Sequence, residues 1–189
     1  MGKYDKEIGE AFSYIARLDT KIYSPEEFPD LYNRICSSTI PEVDVEFLYR
    51  ELSDLLCLDH IDEIKNRISA LLKSLRCEVH SSEWNIGIQA AEYLAMSCKQ
   101  IAQTKLCLET DVFIKMSYEK QCQKNAYYGD KWHLRGIIGV CRDMGRKIIR
   151  MSNIQTMIEE NKEDALDNVM DLLIFCVFYI VLARESNNE

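Results

Sequence analysis

Apolar residues recur at helical spacing along most of this chain, and the pattern is clearest in its second half. It predicts four long helices at about residues 83–104, 109–127, 134–152 and 162–184, joined by short loops. One face of the third helix carries an apolar stripe, which consists of Ile137, Cys141, Met144, Ile148 and Met151. Four helices of this length with short connections predict a four-helix bundle.

Shorter amphipathic helices are predicted before residue 80. One covers about residues 4–19. A second begins at Ser24, which is followed by proline at the first helical position and by Glu27 at the third. Two more are predicted at about 41–56 and 61–75. We set a domain boundary near residues 78–82, between an N-terminal helical region of unknown role, 1–80, and the bundle, 81–189.

The composition supports an all-α fold class. Seven glycines and three prolines in 189 residues are too few for the turns of a many-stranded β fold. The hydrophobic content of 47% is enough to build a sizeable core. We therefore predict an all-α protein whose C-terminal four-helix bundle follows a region of short helices.

Charge and cysteine usage limit the possible partners. A formal charge of −8 disfavours broad binding to nucleic acid or to anionic membranes. We see no signal peptide, and the apolar run 172–183 is too short to span a bilayer. The eight cysteines show no paired metal-ligand spacing, which is typical of thiols in a reducing cytosol. These features predict a soluble, cytoplasmic protein with no membrane partner.

The fourth predicted helix begins with three acids on one face. Asp164, Asp167 and Asp171 follow a spacing of three and then four residues, and residues 172–183 carry no charge. Asp164 and Asp167 have an alternative explanation, because acids in the first turn of a helix stabilise its dipole. Asp171 lies two turns into the helix, so this explanation does not apply to it. A carboxylate there needs a cation, a metal or a proton as its partner.

A metal is one candidate partner for these acids. Glu119 lies at the edge of a face of the helix 109–127 that could point toward the fourth helix. Glu119, Asp167 and Asp171 together would form the oxygen-rich cluster that Mg²⁺ or Mn²⁺ prefers. The alternative for Glu119 is an exposed helix residue.

Basic residues outnumber acids between positions 131 and 150, a local reversal of sign in an acidic chain. Lys147 and Arg150 are the candidates for binding a phosphate group. The alternative is a solvated charged face opposite the apolar stripe.

Several motifs follow one another in a characteristic order. They consist of Lys124, Tyr128, Gly129 and Trp132, then Arg146, Lys147 and Arg150, then Asp164, Asp167, Asp171 and Leu172. This order resembles the nucleotide-modification-associated domain found in many phage and bacterial proteins. That domain is similar in turn to the all-α nucleoside triphosphate pyrophosphohydrolases of the MazG and dimeric dUTPase type.

The resemblance implies Mg²⁺-dependent hydrolysis of a nucleoside triphosphate, or binding and modification of a nucleotide. Lys124, Lys147 and Arg150 would then bind phosphate. Tyr128 or Trp132 would stack on the base, although each also suits a core position. No catalytic residue is assigned apart from the three metal ligands.

The departures from the family motifs support an alternative function. The residue three positions after Glu119 is Cys122, and Asn168 stands where the second motif has an acid. The alternative is a non-catalytic, phage- or defence-related interaction or regulatory protein that keeps the bundle. In either case we expect a homodimer through the fourth helix, because its apolar surface extends around the whole circumference.

Overall fold

A computed structural model describes residues 3–39, 63, 64, 66 and 81–187, and in these residues the chain is all-α, as predicted. The described helices are α1 (Asp5–Arg17), a 3₁₀ turn (Pro25–Glu27), α2 (Phe28–Thr39), α3 (Ser81–Thr104), α4 (Thr110–Tyr128), α5 (Lys131–Leu134), α6 (Gly136–Met151), α7 (Ile154–Glu160) and α8 (Lys162–Asn187). The helices predicted at 41–56 and 61–75 lie outside the described residues, apart from positions 63, 64 and 66.

The predicted start at Ser24 is confirmed, with a difference in detail. The backbone N–H of Ser24 donates to the Glu27 carboxylate at 2.9 Å, and the N–H of Glu27 donates to the Ser24 carbonyl at 2.9 Å. These bonds close a 3₁₀ turn, and α2 itself begins at Phe28. The apolar side of α2, including Phe28, Leu31 and Ile35, is fully buried.

Helix α8 is the centre of the structure. It packs against α1, α3, α4, α6 and α7, and residues 172–183 are buried except for the half-buried Phe175. The apolar circumference of α8 is therefore covered within one chain and does not require a partner subunit, and the homodimer stays a prediction.

The first two helices belong to the same core as the long ones. Ile8 and Phe12 of α1 and Leu31 of α2 pack in one continuous apolar cluster with α3, α6 and α8. Lys99 of α3 adds a polar contact, because its ammonium donates to the carbonyl of Ile15 in the last turn of α1 at 3.0 Å. The predicted separate bundle of four helices stays a prediction, as does the domain boundary, which lies partly outside the described residues.

Helix α8 is long and apolar enough to cross a membrane by length and composition, although 83% of its most apolar window is buried inside the chain. Such burial is typical of the core helix of a soluble protein.

Candidate functional site

Asp171 lies at the point where α4, α6 and α8 meet, and three lysines surround it. The Oδ1 atom of Asp171 is 2.6 Å from the ammonium of Lys120 and 2.7 Å from that of Lys124, both on α4. The Oδ2 atom is 2.7 Å from the ammonium of Lys147 on α6. The Asp171 side chain is only 8% exposed, so little water reaches the carboxylate and the three ammonium groups balance its charge.

The lysines determine the protonation state of Asp171. Burial raises the pKa of its carboxyl group, but hydrogen bonds from Lys120, Lys124 and Lys147 outweigh burial and lower the pKa to about 2. Asp171 is therefore ionised throughout the physiological pH range.

The geometry follows from matched spacing on two facing helices. Lys120 and Lys124 are one turn apart on α4, and Asp167 and Asp171 are one turn apart on α8, so each helix presents two like charges to the other. Lys120 also pairs with the Asp167 carboxylate and donates to the Asp167 backbone carbonyl at 3.2 Å. Lys120 thus links both acids.

A pocket of about 630 Å³ opens beside Asp171, between α4, α5 and α8; we call it the aromatic pocket. Its lining includes Lys124, Tyr128, Lys131, Trp132, Arg135, Asp171, Ile174, Phe175 and Phe178. The sequence-predicted residues Lys124, Tyr128 and Trp132 are thus brought together in one pocket.

The turn that builds this pocket depends on Gly129. The residue ends α4 with a φ of 58°, a left-handed conformation that favours glycine, and its N–H donates to the Asn125 carbonyl at 2.8 Å. The chain then reverses into α5, where the Trp132 ring stacks on the Phe178 ring at a centroid distance of 4.2 Å. The glycine therefore directs Trp132 onto α8.

The two aromatic candidates differ in exposure. Trp132 is 4% exposed and belongs to the core, whereas Tyr128 is 62% exposed at the pocket rim. The buried indole N–H of Trp132 has no hydrogen-bond partner among the described residues. Tyr128 is therefore accessible for stacking, and Trp132 forms part of the pocket wall.

Lys147 and Arg150 line a neighbouring pocket of about 380 Å³, which we call the polar pocket. Its other lining residues are Met157, Asp164, Asp167 and Asn168. Asp171 connects the two pockets, because it lines the aromatic pocket and pairs with Lys147. The five predicted phosphate- and base-binding residues are therefore divided between two adjacent pockets.

The three predicted metal ligands are not gathered around one point. Glu119 is exposed and lies 3.9 Å from Lys115 on its own helix, whereas Asp167 and Asp171 face lysines. Within the described ranges, no group of three acids, histidines or cysteines could hold a metal ion. This arrangement does not fit Mg²⁺, because lysine ammonium groups already contact both oxygens of Asp171.

A second buried aspartate has a different environment. Asp143 of α6 is 2.5 Å from Arg135, 3.8 Å from Arg142 and 3.5 Å from Arg146. Arg142 and Arg146 lie on α6 and Arg135 immediately precedes it, and the three side chains are 45–69% exposed. Arg135 also lines the aromatic pocket.

Three residues around Asp171 and the aromatic pocket were not predicted as site residues, namely Lys120, Arg135 and Phe175. The signal for Lys120 was present, because lysines four residues apart on one helix match aspartates four residues apart on another. Arg135 carries no comparable signal, since its position depends on the turn at Gly129. Phe175 lies four residues after Asp171, so the helical period does place it on the same face.

Comparisons of the chain with protein-family models, with curated proteins and with solved structures found no match. The resemblance to the nucleotide-modification-associated domain therefore stays a prediction from motifs, and the function is argued from the site.

Proposed function

We propose that the protein binds a phosphate-bearing small molecule of the nucleotide class in the aromatic pocket, without chemistry that depends on a metal held by Glu119, Asp167 and Asp171. The observation that carries the proposal is one pocket of about 630 Å³ in which aromatic walls and several cations meet. Ligand sites of this size commonly combine apolar walls with a few polar groups.

The charges in the pocket favour an anion. Lys124, Lys131 and Arg135 bring three positive charges to the lining, where Lys124 lies beside Asp171 and Arg135 beside Asp143. The local sign is opposite to the chain's formal charge of −8. Lys124 is 44% exposed, so its ammonium can contact a ligand while it stays beside Asp171.

The apolar part of the pocket favours a ligand with a planar body. Tyr128 offers an exposed ring at the rim, and Phe175 and Phe178 form part of the wall. Stacking on an aromatic ring suits any nucleobase, because every base has a π face. The aromatic lining therefore supports a ligand of the nucleotide class and leaves the base open.

The support is weaker for hydrolysis than for binding. Mg²⁺-dependent pyrophosphohydrolysis rests on the motif resemblance, whereas the ion pairs of Asp171 favour a binding protein.

We also propose a soluble, cytoplasmic protein, supported by the burial of α8 and by the acidic composition.

Thermal unfolding with ligands tests the proposal. The arms are nucleoside triphosphates, nucleoside monophosphates, nucleosides and inorganic tripolyphosphate, each in EDTA and in Mg²⁺, with phosphate release measured in parallel. A nucleotide at one hundred times its dissociation constant adds about 2.7 kcal/mol, which raises the melting temperature by about 5–10 °C. We expect this shift in EDTA as well as in Mg²⁺, and no phosphate release.

Two lysines on α4 provide a matched pair of variants. Lys124→Ala should weaken nucleotide binding by about 10-fold or more, because a charge-assisted hydrogen bond contributes about 1.5–3 kcal/mol. Lys115→Ala, on an exposed part of the same helix, should leave binding unchanged. Equal affinity in both variants, or no shift with any nucleotide, would overturn the proposal. Phosphate release that requires Mg²⁺ would favour the hydrolase.

A further inference from the structure

A groove of about 570 Å³ lies between α2 and α6 and shares no lining residue with the aromatic pocket; we call it the α2–α6 groove. Its lining includes Tyr32 of α2 and Ile138, Arg142, Gly145, Arg146 and Ile149 of α6. Two of the described lining residues are arginines, and none of them is acidic. The groove therefore combines apolar surface with positive charge.

Two isoleucines of α6 are exposed in this groove. Ile138 is 57% exposed and Ile149 is 73% exposed, although most apolar side chains of this helix are buried. They are three turns apart on one face, a distance of about 16 Å along the helix axis. Apolar side chains that share one groove and have polar neighbours are typical of an interaction surface. The two isoleucines are therefore candidate contact points for a partner.

Arg142 and Arg146 lie between the two isoleucines along α6. Their distances to the Asp143 carboxylate are 3.8 Å and 3.5 Å, which are longer than a good hydrogen bond. Arg135 contacts the same carboxylate at 2.5 Å. The side chains of Arg142 and Arg146 are 61% and 69% exposed, so both guanidinium groups keep donors that can bind a carboxylate of a partner.

Tyr32 holds one wall of the groove in place. Its hydroxyl donates to the Cys141 carbonyl at 3.0 Å. Its ring lies on Gly145, where an added Cβ atom would be 2.6 Å from the hydroxyl oxygen and 2.8 Å from the ring. The groove is thus already formed, and little ordering of these side chains opposes binding.

Shape and charge together favour one kind of occupant. A groove between two helices can accept the side chains of a third helix. A flat membrane surface does not reach into such a groove, and the formal charge of −8 opposes approach to an anionic membrane. The same charge does not prevent an acidic helix from binding, because salt screens charges that are more than about 8 Å away and the nearby arginines dominate.

We propose that the α2–α6 groove binds an acidic amphipathic helix of a partner protein. Apolar side chains of that helix contact Ile138 and Ile149, and carboxylates beside its apolar stripe bind Arg142 and Arg146. The groove is separate from the aromatic pocket, so this binding surface stands whether or not a nucleotide binds there.

The test uses the full chain and a fluorescent probe peptide of about 18 residues, or five helical turns. Leucines in the peptide follow the spacing i, i+4, i+7 and i+11, and glutamates flank them. The control peptide has lysine in place of every glutamate. We expect the acidic peptide to bind at least about 10-fold more tightly in fluorescence anisotropy, and to lose affinity several-fold when sodium chloride is raised from about 50 to 500 mM.

Variants of the groove identify where the peptide binds. Ile149→Ala, and the double variant Arg142→Gln with Arg146→Gln, should each weaken binding by about 10-fold. Val112→Ala, at a valine of α4 that is 44% exposed and does not line the groove, should leave binding unchanged. All these side chains are exposed, so the melting temperature should change by no more than about 2 °C.

Several results would overturn the proposal. These are no binding of the acidic peptide, equal affinity for both peptides, or unchanged affinity in both groove variants. Two other results would assign the groove to a different occupant and also overturn it. Sedimentation with phosphatidylglycerol vesicles that Ile149→Ala abolishes would indicate a membrane surface, and a dimer in light scattering that Ile149→Ala abolishes would indicate a second copy of the chain.

Discussion

Two buried aspartates, Asp171 on α8 and Asp143 on α6, each lie beside three basic side chains, but the cations come from different parts of the fold. The lysines around Asp171 belong to α4 and α6, so every ion pair joins two helices. The arginines around Asp143 lie on α6 or immediately before it, so the pairs stay within one segment. One cluster holds helices together, and the other lies along a single helix.

Exposure separates the clusters further. Lys120 and Lys147 are 15% and 16% exposed and Lys124 is 44% exposed, whereas every arginine beside Asp143 is at least 45% exposed. Water can therefore replace all the partners of Asp143, but only poorly Lys120 and Lys147 beside Asp171. The number of nearby cations is therefore a poor guide to the stability that an ion-pair cluster contributes. That stability depends on how deeply the pairs are buried and on whether they join different helices.

Replacement of each aspartate by asparagine gives the largest expected difference. Asp171→Asn removes the charge that three lysines share, and breaking a buried pair costs roughly 3–5 kcal/mol. Asp143→Asn should cost about 1 kcal/mol or less, because its partners are solvated. Urea unfolding of the two variants and the wild type measures both values.

Urea unfolding of both variants is measured in EDTA and again in Mg²⁺. A loss below about 1 kcal/mol in Asp171→Asn would contradict the structural role of the lysines, because breaking a buried pair costs more. Destabilisation that appears only in Mg²⁺ would restore the metal-site prediction. Equal losses in the two variants would remove the distinction between the clusters.

Acid should reduce the contribution of Asp171 to the free energy of unfolding. The folded pKa of about 2 lies below an unfolded value of about 3.9, so the contribution of Asp171 is fully present above the unfolded pKa. It is lost as the pH falls from about 5 toward 2, and it amounts to about 2–3 kcal/mol. The gap in unfolding free energy between wild type and Asp171→Asn should therefore narrow by this amount over that range. A gap that stays constant would show that Asp171 acts through packing alone.

Replacement of single lysines tests which lysine pairs with each oxygen of Asp171. These replacements have the smallest expected effect on the free energy of unfolding. Lys147 alone contacts Oδ2 of Asp171, whereas Lys120 and Lys124 share Oδ1. Lys147→Met should therefore cost about 1–3 kcal/mol, because it leaves a buried oxygen without a partner. Lys124→Met should stay within about 0.5 kcal/mol, since Lys120 keeps its contact. The reverse order in chemical denaturation would contradict this assignment of contacts.

The long helices could be predicted from the sequence because their apolar faces are buried. The stretches predicted at 83–104 and 109–127 appear as Ser81–Thr104 and Thr110–Tyr128. The short helices Lys131–Leu134 and Ile154–Glu160 were not predicted, since four to seven residues are too few to establish a helical period. The confirmed apolar stripe of α6 shows the same rule, because Cys141, Met144 and Ile148 are all buried.

The candidate site was predictable in location but not in its contacts. Asp171 comes before an uncharged run, so its buried carboxylate needed a partner. The sequence alone could not show whether that partner was a metal ion or a basic side chain. Lys147 appeared as a candidate phosphate ligand, yet in the structure it is a partner of Asp171. Its long side chain can reach across a helix interface, and such reach is not visible in the spacing of one helix.

The central position of α8 has a consequence for synthesis on the ribosome. Every other described helix is made before Lys162, and α1, α3, α4, α6 and α7 all pack against α8. A nascent chain that has not yet reached this helix therefore exposes several apolar faces at once, and such surfaces are prone to aggregate. The core closes only when α8 leaves the exit tunnel, so folding of this chain is completed after the segment that holds it together has emerged.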